Sequence, residues 1–352
     1  MDLEQLKQKY LSFYHEVRVP SHKFFAEENN QDDQKTLVIS SPSRMGNHLL
    51  LSLLDGHPEL PQTPGEDGFH MFSFTRAHYA LHEYFDEVLG GDAVQGMMNV
   101  ASNGIGSKWE QVAQIRSGDF KGKVTVSGVG VGAQSGLQDF EGLTFPVAFA
   151  DYRDELKNLC EGSQPSNYNE LLNRYQMAFA KMQRHPAGSR FDQFFVYGGM
   201  RTQLKWLCET RLNAKVLISI RSFPSFAVSQ IKSRLGDVPL TADLMQEAWE
   251  HWFHKVIDAI YLAVNYPEQV GLVRFDDLLQ NRVETMTKIS DFLGIQPTDE
   301  LKEATLFGYP VHGNSWKLRK AEPTSRVQEE SKAEWLPSEM SEIWELGCQV
   351  SL

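Results

Sequence analysis

Two short stretches of this 352-residue chain combine a cation, small residues and polar donors at a spacing that suits anions. The first is Ser41-Pro42-Ser43-Arg44-Met45-Gly46-Asn47-His48, placed between the apolar run 37–39 and the leucine-rich segment 49–54. Gly56 and Pro58 then supply a stop. That order reads as a buried strand, a tight polar loop and a helix start. Amides at a helix start have no partner within the helix, and the helix dipole favours negative charge there, so the unit is a natural phosphate cradle. Arg44 adds a side-chain cation to it. The second stretch, Ile220-Arg221-Ser222-Phe223-Pro224-Ser225-Phe226-Ala227-Val228-Ser229, repeats the plan. Arg221 leaves a strand end, and Ser229, eight residues on, falls about one turn into the expected helix. Two donors held this way suit a second phosphate; an ordinary strand–loop–helix turn with a surface arginine is the plainer alternative for each.

The first loop departs from the nucleoside triphosphatase pattern GxxxxGK[ST]. Ser41 stands where the first glycine belongs, and Asn47 and His48 follow Gly46 in place of the lysine and the metal-binding hydroxyl. The loop can hold a phosphate, but it lacks the parts that Mg²⁺–ATP chemistry uses.

The elements that must position these loops alternate. Residues 194–197, 215–220 and 270–275 are apolar strand candidates, and residues 202–212, 225–235, 244–264 and 283–293 are helix candidates, two of them closed by Gly236 and Gly294. In the long helix Trp249, Trp252, Phe253, Val256, Ile260 and Tyr261 make the expected inner stripe. Alternation of this kind predicts an α/β fold in three layers, a central parallel sheet flanked by helices. Ligands in such sheets bind beyond the carboxyl ends of the strands, where both loops sit. An amphipathic helix is expected over residues 3–17. Residues 69–190 are less regular, with helix candidates at 74–89, 109–115 and 168–183 and a glycine-rich tract at 118–150. The apolar pieces 124–131 and 145–149 of that tract suggest strands or a mobile flap.

Composition bounds the function. Lys and Arg number 34 against 46 Asp and Glu, a formal charge of −12, which argues against a general nucleic-acid binder or a protein drawn to anionic membranes. A phosphate-bearing ligand must then be held by a few local cations. The three cysteines, Cys160, Cys208 and Cys348, are widely spaced and form no CxxC pair, so free thiols are expected and neither a disulfide framework nor a zinc site. The amino-terminal residues lack a signal-peptide core, and no window reaches the roughly 20 apolar residues that a membrane span needs, so a cytoplasmic location is expected.

Taken together, the motifs resemble those of sulfotransferases that use 3′-phosphoadenosine 5′-phosphosulfate (PAPS). The family's 5′-phosphosulfate loop, roughly PxRSGTTxL or RSGNxxL, is similar to Pro42-Ser43-Arg44-Met45-Gly46-Asn47-His48-Leu49. Its 3′-phosphate motif, an Arg after a strand and a Ser eight residues on, matches Arg221 and Ser229. A third landmark, [YF]-[ED]-D-L before a helix ending F-L-G, is met by Phe275-Asp276-Asp277-Leu278 and Phe292-Leu293-Gly294. Met45 departs from the usual Ser, and 198–202 departs from a Lys-Thr-Pro element, leaving Arg201 as its nearest cation.

The resemblance implies a single sulfotransferase domain with a P-loop nucleotide-kinase-like fold. Residues 35–68 and 194–294 would form the nucleotide-binding core, and 69–190 a variable insertion that sets the acceptor. It implies PAPS as co-substrate without a metal. Ser43, Arg44, Met45, Gly46, Asn47 and His48 would lie on the 5′-phosphosulfate, and Arg221 and Ser229 on the 3′-phosphate. In the branch resembling Golgi and tyrosylprotein enzymes, a Glu shortly after a His-Pro pair is the catalytic base. His57-Pro58 precedes Glu66 here, so Glu66 is the implied base, with Arg44 as the cation that stabilises the leaving phosphate. The cytosolic branch uses a His, which makes His70 the alternative. A basic segment at 316–320 matches the basic closing loop of family members only in character. The acceptor is left open among a carbohydrate, a phenol and a lipid alcohol, and the oligomeric state is not legible. Two other classes stay open: a kinase-like phosphotransferase on a related fold, and a nucleotide-binding or scaffold protein without catalysis.

Overall fold

In a computed structural model of the chain, the residues described are 35–40, 44–60, 190–191, 193–197, 201–210, 213–236, 238–306, 309–310 and 338–352, with short pieces at 5, 8–9, 123–126, 129–132, 154–155 and 157–159. Within the longer segments the side chains of a few residues, His48 and Arg201 among them, lie outside this description.

The first strand, β1 (Thr36–Ser40), is buried at every position, as a central parallel strand covered on both faces should be. It leads into α1 (Asn47–Leu54), whose leucines 49, 50, 51, 53 and 54 are all buried. Burial of a leucine stabilises by about 1.5–3 kcal/mol, so these five pin the start of α1 firmly against the sheet. An antiparallel hairpin follows, β2 (Lys123–Val126) and β3 (Val129–Gly132), within the glycine-rich tract. Next come β4 (Gln193–Tyr197), α2 (Arg201–Thr210), β5 (Ala214–Ile220), α3 (Phe223–Leu235), α4 (Ala242–Asn265) and β6 (Val270–Arg274). The chain then forms α5 (Phe275–Gln280), α6 (Arg282–Leu293), a 3₁₀ turn (Asp299–Lys302), the small hairpin β7 (Thr305–Leu306) and β8 (Tyr309–Pro310), and α7 (Ser338–Gln349).

The main sheet runs β4-β1-β5-β6, and every neighbouring pair is parallel. Its two faces are covered by different helices. Val38, Val216, Ile218 and Leu272 pack with α2, α3, α4 and α7, whereas Leu37, Ile39, Leu217 and Val273 pack with α1, α5 and α6. This alternation along each strand puts helices on both sides of one parallel sheet, the three-layer α/β architecture expected from the sequence. It also creates a switch point. The helix after β1 packs on one face and the helix after the adjacent β5 on the other, so the turns at the carboxyl ends of these two strands flank the place where such sheets bind ligands.

Several elements differ from the sequence reading. Helix α3 begins at Phe223, two residues earlier than expected, which places Ser229 nearly two turns into it. The fully covered stripe of α4 includes Trp252, Val256, Ile257, Ala259 and Ile260, while Trp249, Phe253 and Tyr261 are only half-buried. Trp249 sits at the helix edge, stacked on Trp252 with ring centroids 5.4 Å apart and edge-on to Phe223 at 5.5 Å. Helices α5 and α7 and the 3₁₀ turn were not anticipated. The C-terminal residues extend the sheet edge, Ser351 forming a parallel bridge to Leu272 and the Leu352 amide donating to the Leu272 carbonyl at 2.9 Å. The helices expected at 74–89, 109–115 and 168–183, and the strand piece at 145–149, lie outside the described residues; of the helix expected at 3–17, residues 5, 8 and 9 are described, and they are helical.

Candidate active site

The β1–α1 loop is shaped by three residues. Arg44 has φ 73°, in the left-handed region that side chains rarely adopt, at a cost of order 1–3 kcal/mol. Gly46 caps α1 with φ 104°, and a Cβ built there would stand 2.1 Å from Cδ2 of Phe275, so both backbone angle and space exclude a side chain. Met45, between them, turns its side chain into the core and is 0% exposed; its carbonyl accepts a 3.0 Å hydrogen bond from the Ser219 hydroxyl of β5. The departure from the usual Ser therefore has a local physical reason: this side chain anchors the loop. Gly46, as the N-cap, has no side chain with which to cap α1. The first bonds inside the helix run from the Leu49 and Leu50 amides to the Gly46 carbonyl, so the Asn47 and His48 amides belong to the helix start, where no intrahelical acceptor exists. The Asn47 side chain is 4% exposed, and Arg44 is half-buried.

The turn after β5 lies beside this loop because β5 pairs with β1. Arg221 is 7% exposed and tightly held. Its Nε donates to the Ser225 hydroxyl, its guanidinium carbon lies 4.4 Å from the centroid of the Phe275 ring, and its carbonyl accepts from Trp252 Nε1 at 2.7 Å. Burial brings the Arg221 pKa down to about 10, with Asp276 opposing and Arg44 reinforcing that shift; the group remains cationic at neutral pH. Ser229 is half-buried and stands one turn beyond Ser225 on the same face of α3.

The third landmark explains itself in this geometry. Phe275, at the carboxyl end of β6, is fully buried, with its ring against both Gly46 and the Arg221 guanidinium. One side chain thus fixes the spacing of the two turns. Asp276 accepts from Ser222 and faces Arg221; burial raises its pKa, partly offset by those two contacts. Asp277 pairs with Arg274, whose Nε donates to it at 2.6 Å, and Leu278 completes the core.

The sequence-predicted residues therefore divide into groups. Arg44, Met45, Gly46 and Asn47, with the backbone of His48, form one turn; Arg221 and Ser229 form its neighbour, and Met45 contributes its backbone and a core side chain. Ser43, Glu66 and His70, the His48 and Arg201 side chains and the 316–320 segment lie outside the described residues. His57 is buried: Nδ1 accepts from the Glu59 amide at 3.1 Å and Nε2 donates to the Gln296 carbonyl at 2.8 Å. The His-Pro pair thus ties the end of α1 to the segment after α6.

Three residues escaped the sequence reading: Ser225, Phe275 in its role beneath both turns, and Lys255. Lys255, on α4, lies with Nζ 5.0 Å from the Phe226 ring centroid. Burial first, and the charge of Arg44 second, push its pKa down to about 8. The available signal was spacing, since Lys255 stands one turn beyond Trp252 in a helix whose apolar face must meet β5.

No protein-family model matches the chain, and no curated protein sequence matches it. Among solved structures, it is similar to the sulfotransferase domain of the Synechococcus PCC 7002 olefin synthase, at 14% identity and a TM-score of 0.49, covering 92% of this chain and 97% of that one. It is also similar to the sulfotransferase domain from the curacin biosynthetic pathway, at 16% identity and 0.45, covering 90% and 97%. A sulfotransferase from Alicyclobacillus acidocaldarius follows at 13% and 0.35, covering 78% and 85%. Likeness this distant assigns neither a family nor an activity. Among the described residues, no helix is long and apolar enough to cross a membrane.

Proposed function

We propose that the protein is a sulfotransferase that moves the sulfuryl group of PAPS to an acceptor hydroxyl or amine. The observation that carries this reading is the paired site. Two cation-bearing turns follow adjacent parallel strands, one led by Arg44 and the other by Arg221, and a single ring, Phe275, fixes their separation. A nucleotide with a phosphate at each end of its ribose needs two anion sites of this kind. The lysine and hydroxyl that an Mg²⁺–triphosphate site would place after Gly46 are replaced by Asn47 and His48.

In this mechanism the Asn47 and His48 amides and the Arg44 guanidinium hold the 5′-phosphosulfate, while Arg221 and Ser229 hold the 3′-phosphate. The acceptor oxygen or nitrogen attacks sulfur, the bond between sulfur and the 5′-phosphate oxygen breaks, and the acceptor's proton passes to a general base. Glu66 is assigned as that base and His70 is its alternative; both follow the His57–Pro58 turn in the chain. Arg44 stabilises the negative charge that collects on the departing phosphate. No step requires a metal. The acceptor class, a carbohydrate, a phenol or a lipid alcohol, is to be set by residues 69–190.

Incubation of the purified protein with PAPS and a panel of those acceptors tests the reading. Acceptor-dependent release of 3′-phosphoadenosine 5′-phosphate (PAP), with a matching sulfated product by mass spectrometry, is the expected result. Mg²⁺-dependent phosphate transfer from ATP to the same panel, with no sulfated product, would replace this function with that of a phosphotransferase.

A further inference from the structure

We propose that Lys255 is a donor-binding residue, a third cation that engages the phosphates of a 3′,5′-bisphosphorylated nucleotide together with Arg44 and Arg221. The inference rests on the nucleotide reading above and extends it to a helix that neither phosphate motif includes.

Placement supports it first. On α4, Trp252 and Lys255 are three residues apart and share a face. Trp252 directs its indole N–H to the Arg221 carbonyl at 2.7 Å, so this face looks onto the turn after β5. Lys255 is held there by the fully buried ring of Phe226, the residue next to the Ser225 that fixes Arg221. Two packed contacts on neighbouring residues of α3 therefore position two different cations.

Electrostatics supports it second. Arg44 stands close enough to both Arg221 and Lys255 to disfavour the charged form of each. In a chain with a formal charge of −12, Arg44 thus lies within electrostatic reach of Arg221 and of Lys255, and Asp276 faces Arg221. An anion bound within reach of these cations favours the charged form of each. The half-buried Lys255 can extend along the Phe226 ring and present its ammonium to the same pair of turns.

Calorimetric titration of the intact protein with PAP provides the test, using wild type, Lys255→Met and Lys255→Arg. Methionine keeps the apolar stem on Phe226 and removes the charge, while arginine keeps the charge. A charge-assisted phosphate contact is worth roughly a ten- to hundredfold change in affinity. Lys255→Met should weaken PAP binding by that factor, Lys255→Arg should stay within about threefold of wild type, and both should melt at or above the wild-type temperature. Wild-type affinity in Lys255→Met would overturn the inference while leaving the nucleotide reading intact. Equal losses in both variants would overturn it in favour of a packing role. Absence of PAP binding by the wild-type protein would overturn the nucleotide reading itself, and this inference with it.

Discussion

Arg44 combines a left-handed backbone, φ 73°, with the phosphate-binding role proposed for it. Its left-handed backbone is a conformation glycine adopts without cost, yet glycine would remove the cation. Arg44→Gly should therefore leave the melting temperature unchanged or raised while weakening PAP affinity roughly ten- to a hundredfold; a parallel loss of both would mean that Arg44 serves the fold. Glu66→Gln, if Glu66 is the base, should lower turnover on the order of 10²–10⁴-fold and leave PAP affinity unchanged. Lys255 adds a pH dependence. With its pKa near 8 in the free protein, under the influence of burial and then Arg44, it loses its proton as the pH climbs from 7 to 9, with Asp258 one turn further along the same helix. Binding of an anion favours the protonated form, so PAP affinity should fall over that interval, and less so in Lys255→Arg. The sign for stability is opposite. Between about pH 8 and 10.5 the unfolded chain holds more protons at this position than the folded one, so this lysine's contribution to stability rises with pH there. At this scale the placement of Arg44, Gly46, Arg221 and Ser229 on two turns was readable from the sequence, because the loops that carry them are local in the chain. The placement of Lys255 and Ser225 was not readable, because it depends on which helix face meets which strand end.

At the scale of elements, the two turns behave as one unit because Phe275 lies against both. A Cβ at Gly46 meets the ring at 2.1 Å, and the Arg221 guanidinium lies 4.4 Å from the ring's centre. Gly46→Ala should destabilise the protein and abolish PAP binding, and Phe275→Ala should cost about 3–5 kcal/mol as a buried aromatic truncation. The informative quantity is their coupling. In a double-mutant cycle read by denaturant unfolding, Phe275→Ala should relieve part of the Gly46→Ala penalty, with an interaction energy of about 0.5–3 kcal/mol. Strict additivity would mean that the ring does not join the turns. The strands 36–40, 214–220 and 270–274 were legible as short apolar runs, and α6 as a helix closed by Gly294, whose φ of 67° is the left-handed cap the glycine foretold. Helix α5 was hidden because its six residues are too few for a periodic pattern and follow β6 without a turn. Helix α7 does carry a periodic signal: Met340, Ile343, Trp344 and Gly347 recur at helical spacing, and Ile343 and Leu346 are buried.

For the whole molecule, the sheet order places the β1 and β5 turns side by side, an adjacency that no single segment encodes. The alternation of strands and helices made the layers readable, whereas the switch point required knowing that α1 and α3 cover opposite faces. A ligand bridging those turns should stabilise the native state as a unit. PAP at a hundredfold excess over its dissociation constant should add about 2.7 kcal/mol and raise the melting temperature by several degrees. The decisive comparison is calorimetric, with PAP, AMP and Mg²⁺–ATP titrated into the same protein. AMP lacks the 3′-phosphate that Arg221 and Ser229 are proposed to hold, and Mg²⁺–ATP calls on the lysine and hydroxyl missing after Gly46. PAP binding at least about tenfold tighter than either is expected; Mg²⁺–ATP binding as tightly as PAP, or AMP matching it, would contradict the assignment of the paired turns to a bisphosphorylated sulfuryl donor.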